Sequence, residues 1–152
     1  MTLPNTTIDA DDDGAAGQSP PPLDVDGLAR KFQKELNSGL IGLVLLSVLD
    51  GAVEDLYGYQ IAKRLQAISV EGSPMKQGAL YPVLRTLSAH GLLASRVVPS
   101  YAGPPRRYYR ITPAGRATLL RWRATWTGTR DFVDAVASGL AAATDHTRSD
   151  PP

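Results

Sequence analysis

Three arginines stand within five positions of one another in the segment PPRRYYRIT, at Arg106, Arg107 and Arg110. A fourth, Arg85, lies four residues after Tyr81 in the run GALYPVLRTLSAHG. Guanidinium is always charged and presents a rigid fork of donors, which suits phosphate oxygens and a narrow minor groove read by shape and A·T content. Lys63 and Arg64 add a cationic pair upstream, and Lys76 and Gln77 stand at the entry of the Arg85 run. The chemistry these residues offer is capture of a polyanion.

Residues able to run a reaction are scarce by comparison. The chain has no cysteine, which removes disulfides, thiolate zinc sites and a cysteine nucleophile, and agrees with a reducing cytoplasm. Its two histidines, His90 and His146, cannot form a zinc site by themselves. The carboxylates at Asp11, Asp12 and Asp13, and at Glu54 and Asp55, sit in loop-like stretches without calcium-loop spacing or a neighbouring nucleophile, and read as solvated charge. Gly39 and Gly42 lack the Lys and Ser or Thr of a phosphate-binding loop. The expectation is a protein that is not an enzyme and holds no metal or cofactor.

The cationic groups need elements to hold them. Leu80, Val83, Leu84 and Leu87 recur at intervals of three and four, so residues 78–91 read as a helix that stops at Gly91, with His90 in the last turn. Its opposite face carries Gly78, Tyr81, Pro82, Arg85, Thr86 and Ala89, small or flat side chains flanked by Tyr and Arg that could approach a major groove closely. Pro82 crowds the carbonyl of Gly78 and leaves it unbonded, a modest cost so near the helix start. Residues 92–98 and 107–111 read as two strands, separated by a breaker segment at 99–105. That reading places Arg106 and Arg107 at a hairpin tip and lets only one of Tyr108 and Tyr109 face the core.

Further upstream, residues 1–23 are rich in Asp, Pro, Thr and Gly without apolar periodicity, and read as a disordered acidic tail. From a cap at Asp24 or Asp26, Val25, Leu28, Phe32 and Leu36 form an amphipathic helix over residues 24–37. After Ser38 and Gly39, LIGLVLLSVLD reads as a separate buried helix, too short to cross a bilayer. An acidic loop over residues 50–55 follows, then a helix over residues 57–68 with Ile61, Leu65 and Ile68 inward and Lys63 and Arg64 outward. With a linker through Glu71, Gly72, Ser73 and Pro74, these segments assemble into a winged helix-turn-helix over residues 24–111.

Thr112 and Pro113 then cap a long C-terminal helix over residues 112–141, with a disordered tail at 142–152. Leu119, Trp122, Trp126, Thr129, Val133, Val136 and Leu140 step by three and four along it, a seam too long for a small lobe to bury alone. Packing against a second copy is expected there, with Phe32 on the first helix completing the interface. The alternative is an intramolecular helix lying on the winged lobe. The expected fold is mainly α with a small β-hairpin, a winged helix-turn-helix plus a long C-terminal dimerisation helix.

Charge is distributed to match. Residues 1–29 hold six acids and no Lys or Arg, and residues 131–152 hold four Asp against Arg148. The middle carries fifteen Lys and Arg against five acids, an excess of ten that a net charge of +1 conceals. That middle is the part that should meet a polyanion. No uninterrupted apolar run approaches the ~18 residues of a membrane span, and the acidic start is unlike a signal peptide, so a soluble cytoplasmic protein is expected.

Three ordered segments, YGYQI at 57–61, GALYPVLRTLSAHGLL at 78–93 and PPRRYYRITPAG at 104–115, resemble the hallmark stretches of PadR-family transcriptional regulators in order and spacing. The resemblance spans roughly residues 35–137. Ala79 stands where many relatives carry Thr or Ser, and Gly128 interrupts the last helix. The resemblance implies a homodimer that binds double-stranded DNA and lets go when a small aromatic or hydrophobic compound binds, with Trp122 and Trp126 as candidate ligand walls. The DNA contacts expected are Lys63, Arg64, Lys76, Gln77, Tyr81, Arg85, Arg106 and Arg107, on an inverted-repeat operator. A winged-helix adaptor that binds protein through the Trp-bearing helix is the competing class, and it would not need the basic hairpin.

Overall fold

The computed structural model describes residues 21–68 and 77–146, with side chains except those of residues 77 and 140–146. Lys76, the linker at 71–74, most of the expected acidic tail (1–20) and residues 147–152 of the C-terminal tail lie outside the described residues, as do the side chains of Gln77 and Leu140.

The first helix, α1, runs unbroken over Val25–Asp50. Asp24 caps it by accepting a hydrogen bond from the Gly27 amide at 2.8 Å. Two separate helices were expected here, on either side of Ser38 and Gly39. Neither residue removes a backbone amide, and a helical Gly costs only about 1 kcal/mol against Ala, which the apolar packing of the second half offsets. The fused helix is long and apolar enough to cross a membrane by length and composition alone, but its second half delivers Leu45, Leu46 and Leu49 to the protein core.

A two-residue strand, β1 (Leu56–Tyr57), leads into α2 (Gly58–Ile68). The third helix, α3 (Gln77–Ala89), ends in a tight cap: Gly91 takes φ +73°, the Leu92 amide donates to Leu87 O and the Gly91 amide to Ser88 O, both at 3.0 Å. Only a residue without Cβ holds that left-handed position at no steric cost. The hairpin strands β2 (Leu93–Ser100) and β3 (Gly103–Ile111) follow, and α4 (Pro113–His146) closes the chain. Thr112 caps α4 through a 3.0 Å bond from the Gly115 amide, and its hydroxyl reaches Gly91 O at 2.7 Å.

The sheet is antiparallel with order β1-β3-β2, so β1 is a third strand where the sequence reading gave the first residue of a helix. The hairpin also differs from expectation. Its turn is at Tyr101 and Ala102, Pro104 and Pro105 lie inside β3, and Arg106 and Arg107 pair with Val98 and Val97 along the strand instead of occupying the tip. Proline is tolerated because β1 covers β3 only at Tyr108 and Tyr109, leaving an edge at the prolines, while Pro99 sits in the irregularity between Val98 and Ser100.

One apolar core joins these elements: Leu45, Leu46 and Leu49 of α1, Leu56 of β1, Ile61 and Ala62 of α2, Leu80, Leu84 and Leu87 of α3, Leu93, Tyr109 and Ile111 of the sheet, and Leu119. Leu119 is 2% exposed, so it is a core residue and not part of a dimer seam. The first turns of α4 lie across the lobe, and the same stripe leaves the lobe only further along. Beyond residue 120 the stripe is partly or fully uncovered, with Val133 and Val136 exposed, as are Leu28 and Phe32 on the first half of α1.

Candidate nucleic-acid interface

The exposed side of α3 is the one expected from its spacing. Tyr81, Pro82, Arg85, Thr86 and Ala89 face outward, while Leu80, Leu84 and Leu87 face the core. Tyr81 packs against the start of α2, where a Cβ on Gly58 would run into the Tyr81 ring. A side chain at residue 58 would have to push that ring aside. Lys63 and Arg64 are exposed on α2, about one and a half turns of helix beyond Gly58.

Strand parity decides what the hairpin arginines can do. Arg107 and Tyr109 share one face of β3, and Arg106, Tyr108 and Arg110 share the other. Tyr109 is buried and Tyr108 is not, which resolves the alternative left by the sequence. Burial pushes the Tyr109 phenol above its ordinary range, against the pull of the Arg107 and Arg85 charges, so the ring stays neutral at physiological pH.

Asp55, read from sequence as a solvated loop carboxylate, anchors the outer face of the sheet. Its side chain is 8% exposed and accepts from Arg110 Nε at 2.6 Å and Arg96 Nε at 2.9 Å. Hydrogen bonds from Arg110 and then Arg96 hold the carboxyl below the usual carboxylate range, against the opposing effect of burial. Arg96 also lies over the Tyr108 ring at 5.2 Å. Two of the hairpin's four guanidinium groups are thus committed to one internal acid. The signal available in sequence was the alternation of Arg96 with its strand and of Arg106, Tyr108 and Arg110 with theirs, but the acid they share lies 41 and 55 residues away.

Arg106 and Arg107, on opposite faces of β3, have no acid partner among the described residues. Arg106 stacks over the Tyr57 ring at 4.7 Å, and Arg107 donates to Ser95 Oγ at 3.1 Å. Together with Arg85 they line a cleft of about 330 Å³ between α3 and the sheet, whose other walls are Tyr57, Gly58, Tyr81, Pro105 and Tyr109. Among the described residues no carboxylate lines it.

A second, larger hollow of about 830 Å³ lies between α1, α3 and α4. Trp122 and Trp126 wall it from α4, with Leu36, Leu40 and Leu43 from α1 and Val83 and Leu87 from α3. Gly42 lets Trp122 close in, since a Cβ there would stand 3.1 Å from the indole. Among the described residues no group of three His, Cys, Asp or Glu could hold a metal ion.

Comparison with known proteins follows the same outline. A family model described as the transcriptional regulator PadR-like family matches residues 45–121, from the buried half of α1 to the first turns of α4. A transcriptional regulator of Mycobacterium tuberculosis is 52% identical over 56 residues, covering 36% of this chain and 50% of that protein. The crystal structure of a PadR family transcriptional regulator from Eggerthella lenta superposes with a TM-score of 0.63 at 33% identity, covering 74% of this chain and 94% of that one. A transcriptional regulator from Clostridium thermocellum gives a TM-score of 0.60 at 27% identity, covering 66% and 96% respectively.

Proposed function

This chain belongs to the transcriptional regulator PadR-like family, and on that premise we propose that it acts in the cytoplasm as a homodimer on an inverted-repeat operator, repressing transcription until a small aromatic compound binds. DNA-binding regulation is the activity of the family. The observation that carries the DNA reading here is the sorting of charge: Arg96 and Arg110 share Asp55 as a partner, whereas Arg85, Arg106 and Arg107 line a cleft beside the exposed face of α3 with no acid among its described residues. Lys63 and Arg64 on α2 would clamp the flanking backbone, with Lys76 and Gln77 at the entry of α3. The reading face offers few long polar side chains, so phosphate and shape contacts should outweigh base readout.

Two apolar stripes support the homodimer. Phe32 on α1 and Phe132, Val133 and Val136 on α4 are exposed, and a pair of such helices from a second copy would cover them. Two reading helices related by a twofold axis would then meet half-sites about one helical turn apart. The hollow behind Trp122 and Trp126 has the size and apolar walls of a drug-sized ligand site, which supports the effector. A gel shift with the DNA upstream of the protein's own coding region tests the reading. A retarded band that weakens steeply with salt is expected, and the absence of any shift in dilute buffer overturns it. Quenching of tryptophan fluorescence by a panel of planar compounds tests the effector, and no quenching by any of them removes it.

A further inference from the structure

Among the described residues the cleft between α3 and the sheet carries no acid. It does not close the core, and no ion pair among the described residues compensates Arg85, Arg106 or Arg107. Like charges around a small concavity repel one another, a cost that an anion entering the space would reverse. Two of the three are also held in place before any ligand arrives, Arg106 by the Tyr57 ring and Arg107 by Ser95. Side chains ordered in advance lose less freedom on binding, so such a site is prepared for its ligand. At about 330 Å³ the cleft equals the liquid volume of roughly ten waters, room for a phosphodiester group with part of its hydration.

We infer that this cleft takes a single phosphate of the DNA backbone, held jointly by Arg85 from the reading helix and by Arg106 and Arg107 from the hairpin. The inference rests on the DNA-binding reading and sharpens it. The three arginines act as one contact, so the helix in the major groove and the hairpin beside it are tied to the same point on the strand. Tyr81, locked against Gly58, forms the wall that sets how deep the phosphate sits.

The distinction between one shared phosphate and three separate ones is measurable, because each phosphate neutralised contributes about 0.9 to the slope of log K against log salt. Affinity for the upstream duplex is measured across a salt series for the wild type, for Arg85→Ala, Arg106→Ala and Arg107→Ala, and for the triple variant. All three side chains are exposed, and matching circular dichroism spectra check that the variants fold. A shared phosphate predicts that each single change weakens binding about tenfold, that the triple variant loses only a few-fold more, and that its slope falls by about one. Losses that multiply, with a slope lower by about three, overturn the inference, as does unchanged binding in the triple variant. Inorganic phosphate, titrated while the arginine side-chain resonances are followed by NMR, separates the two readings. If the wild type binds no duplex yet phosphate shifts those resonances in it and not in the triple variant, the cleft stands as a phosphate site and the DNA role falls. If neither duplex nor phosphate binds, both are overturned.

Discussion

Leu84 and Phe132 show how differently two parts of this chain treat apolar surface. Leu84 is completely sealed in the winged lobe, where helices, sheet and the first turns of α4 close around it, whereas Phe132 stands 69% exposed on the far part of α4. Both sit on helices with ordinary apolar periodicity. The lobe has other helices and a sheet to shut over its stripe, but among the described residues nothing covers the large apolar side chains on the outer reach of α4 and the first half of α1. Periodicity reports that a face wants covering, and only topology decides whether the cover comes from the same chain.

The largest effect is expected in the lobe. Leu84→Ala should cost about 2 to 5 kcal/mol of unfolding free energy, independent of protein concentration, because the cavity forms in a core that belongs to one chain. A gap between the wild-type and variant chemical-denaturation midpoints that changed with concentration would contradict that independence. On the arm the reverse holds. Val136→Asp should weaken self-association by about 2 kcal/mol or more, read as a shift toward monomer in sedimentation velocity, while the far-ultraviolet spectrum of the lobe stays intact. No change in mass distribution would show that the exposed stripe is not covered by a second copy.

A smaller effect sharpens the picture within the lobe. Asp55→Ala should destabilise it by on the order of 1 kcal/mol at neutral pH, since the acid is covered but both arginine partners are largely exposed. The sign with pH follows from the lowered carboxyl: its stabilisation is fully present above the ordinary carboxylate range near 4 and is lost as pH falls through the depressed folded value. Melting curves of wild type and variant should therefore stay apart between pH 8 and pH 5 and converge in strong acid. Smallest of all, Gly128→Ala should stabilise α4 by up to about 1 kcal/mol, because no atom lies within 4 Å of the added methyl. A melting temperature that falls instead would show that a neighbour occupies that space.

Much of the frame was legible in the sequence. The inward stripe of α3, its stop at Gly91 and the cap of α4 at Thr112 depend on local periodicity and hydrogen bonding, and the structure has them where the spacing put them. Family membership was legible too, from three short segments in order. What escaped depends on contacts between distant residues. Strand β1 exists only because Leu56 and Tyr57 pair with Tyr109 and Tyr108, some fifty residues on, and two residues carry no periodicity. The hairpin turn was misplaced because Pro104 and Pro105 read as breakers, although an edge tolerates them. Asp55 looked like solvated charge because its partners are far along the chain. Leu119 continued a perfect seam while its surroundings had changed from solvent to core.

One hydroxyl has mechanical reach. Thr112 Oγ1 begins α4 and donates to Gly91 O just past the end of α3, so the two helices are stitched at a common joint. The 34 residues of α4 make a rod about 51 Å long, and a pivot of about 5° at the joint sweeps its far end through about 4 Å. Run backwards, the gearing means that modest displacement out along the rod arrives at α3 as a fine rotation, much as a long tiller trims a rudder.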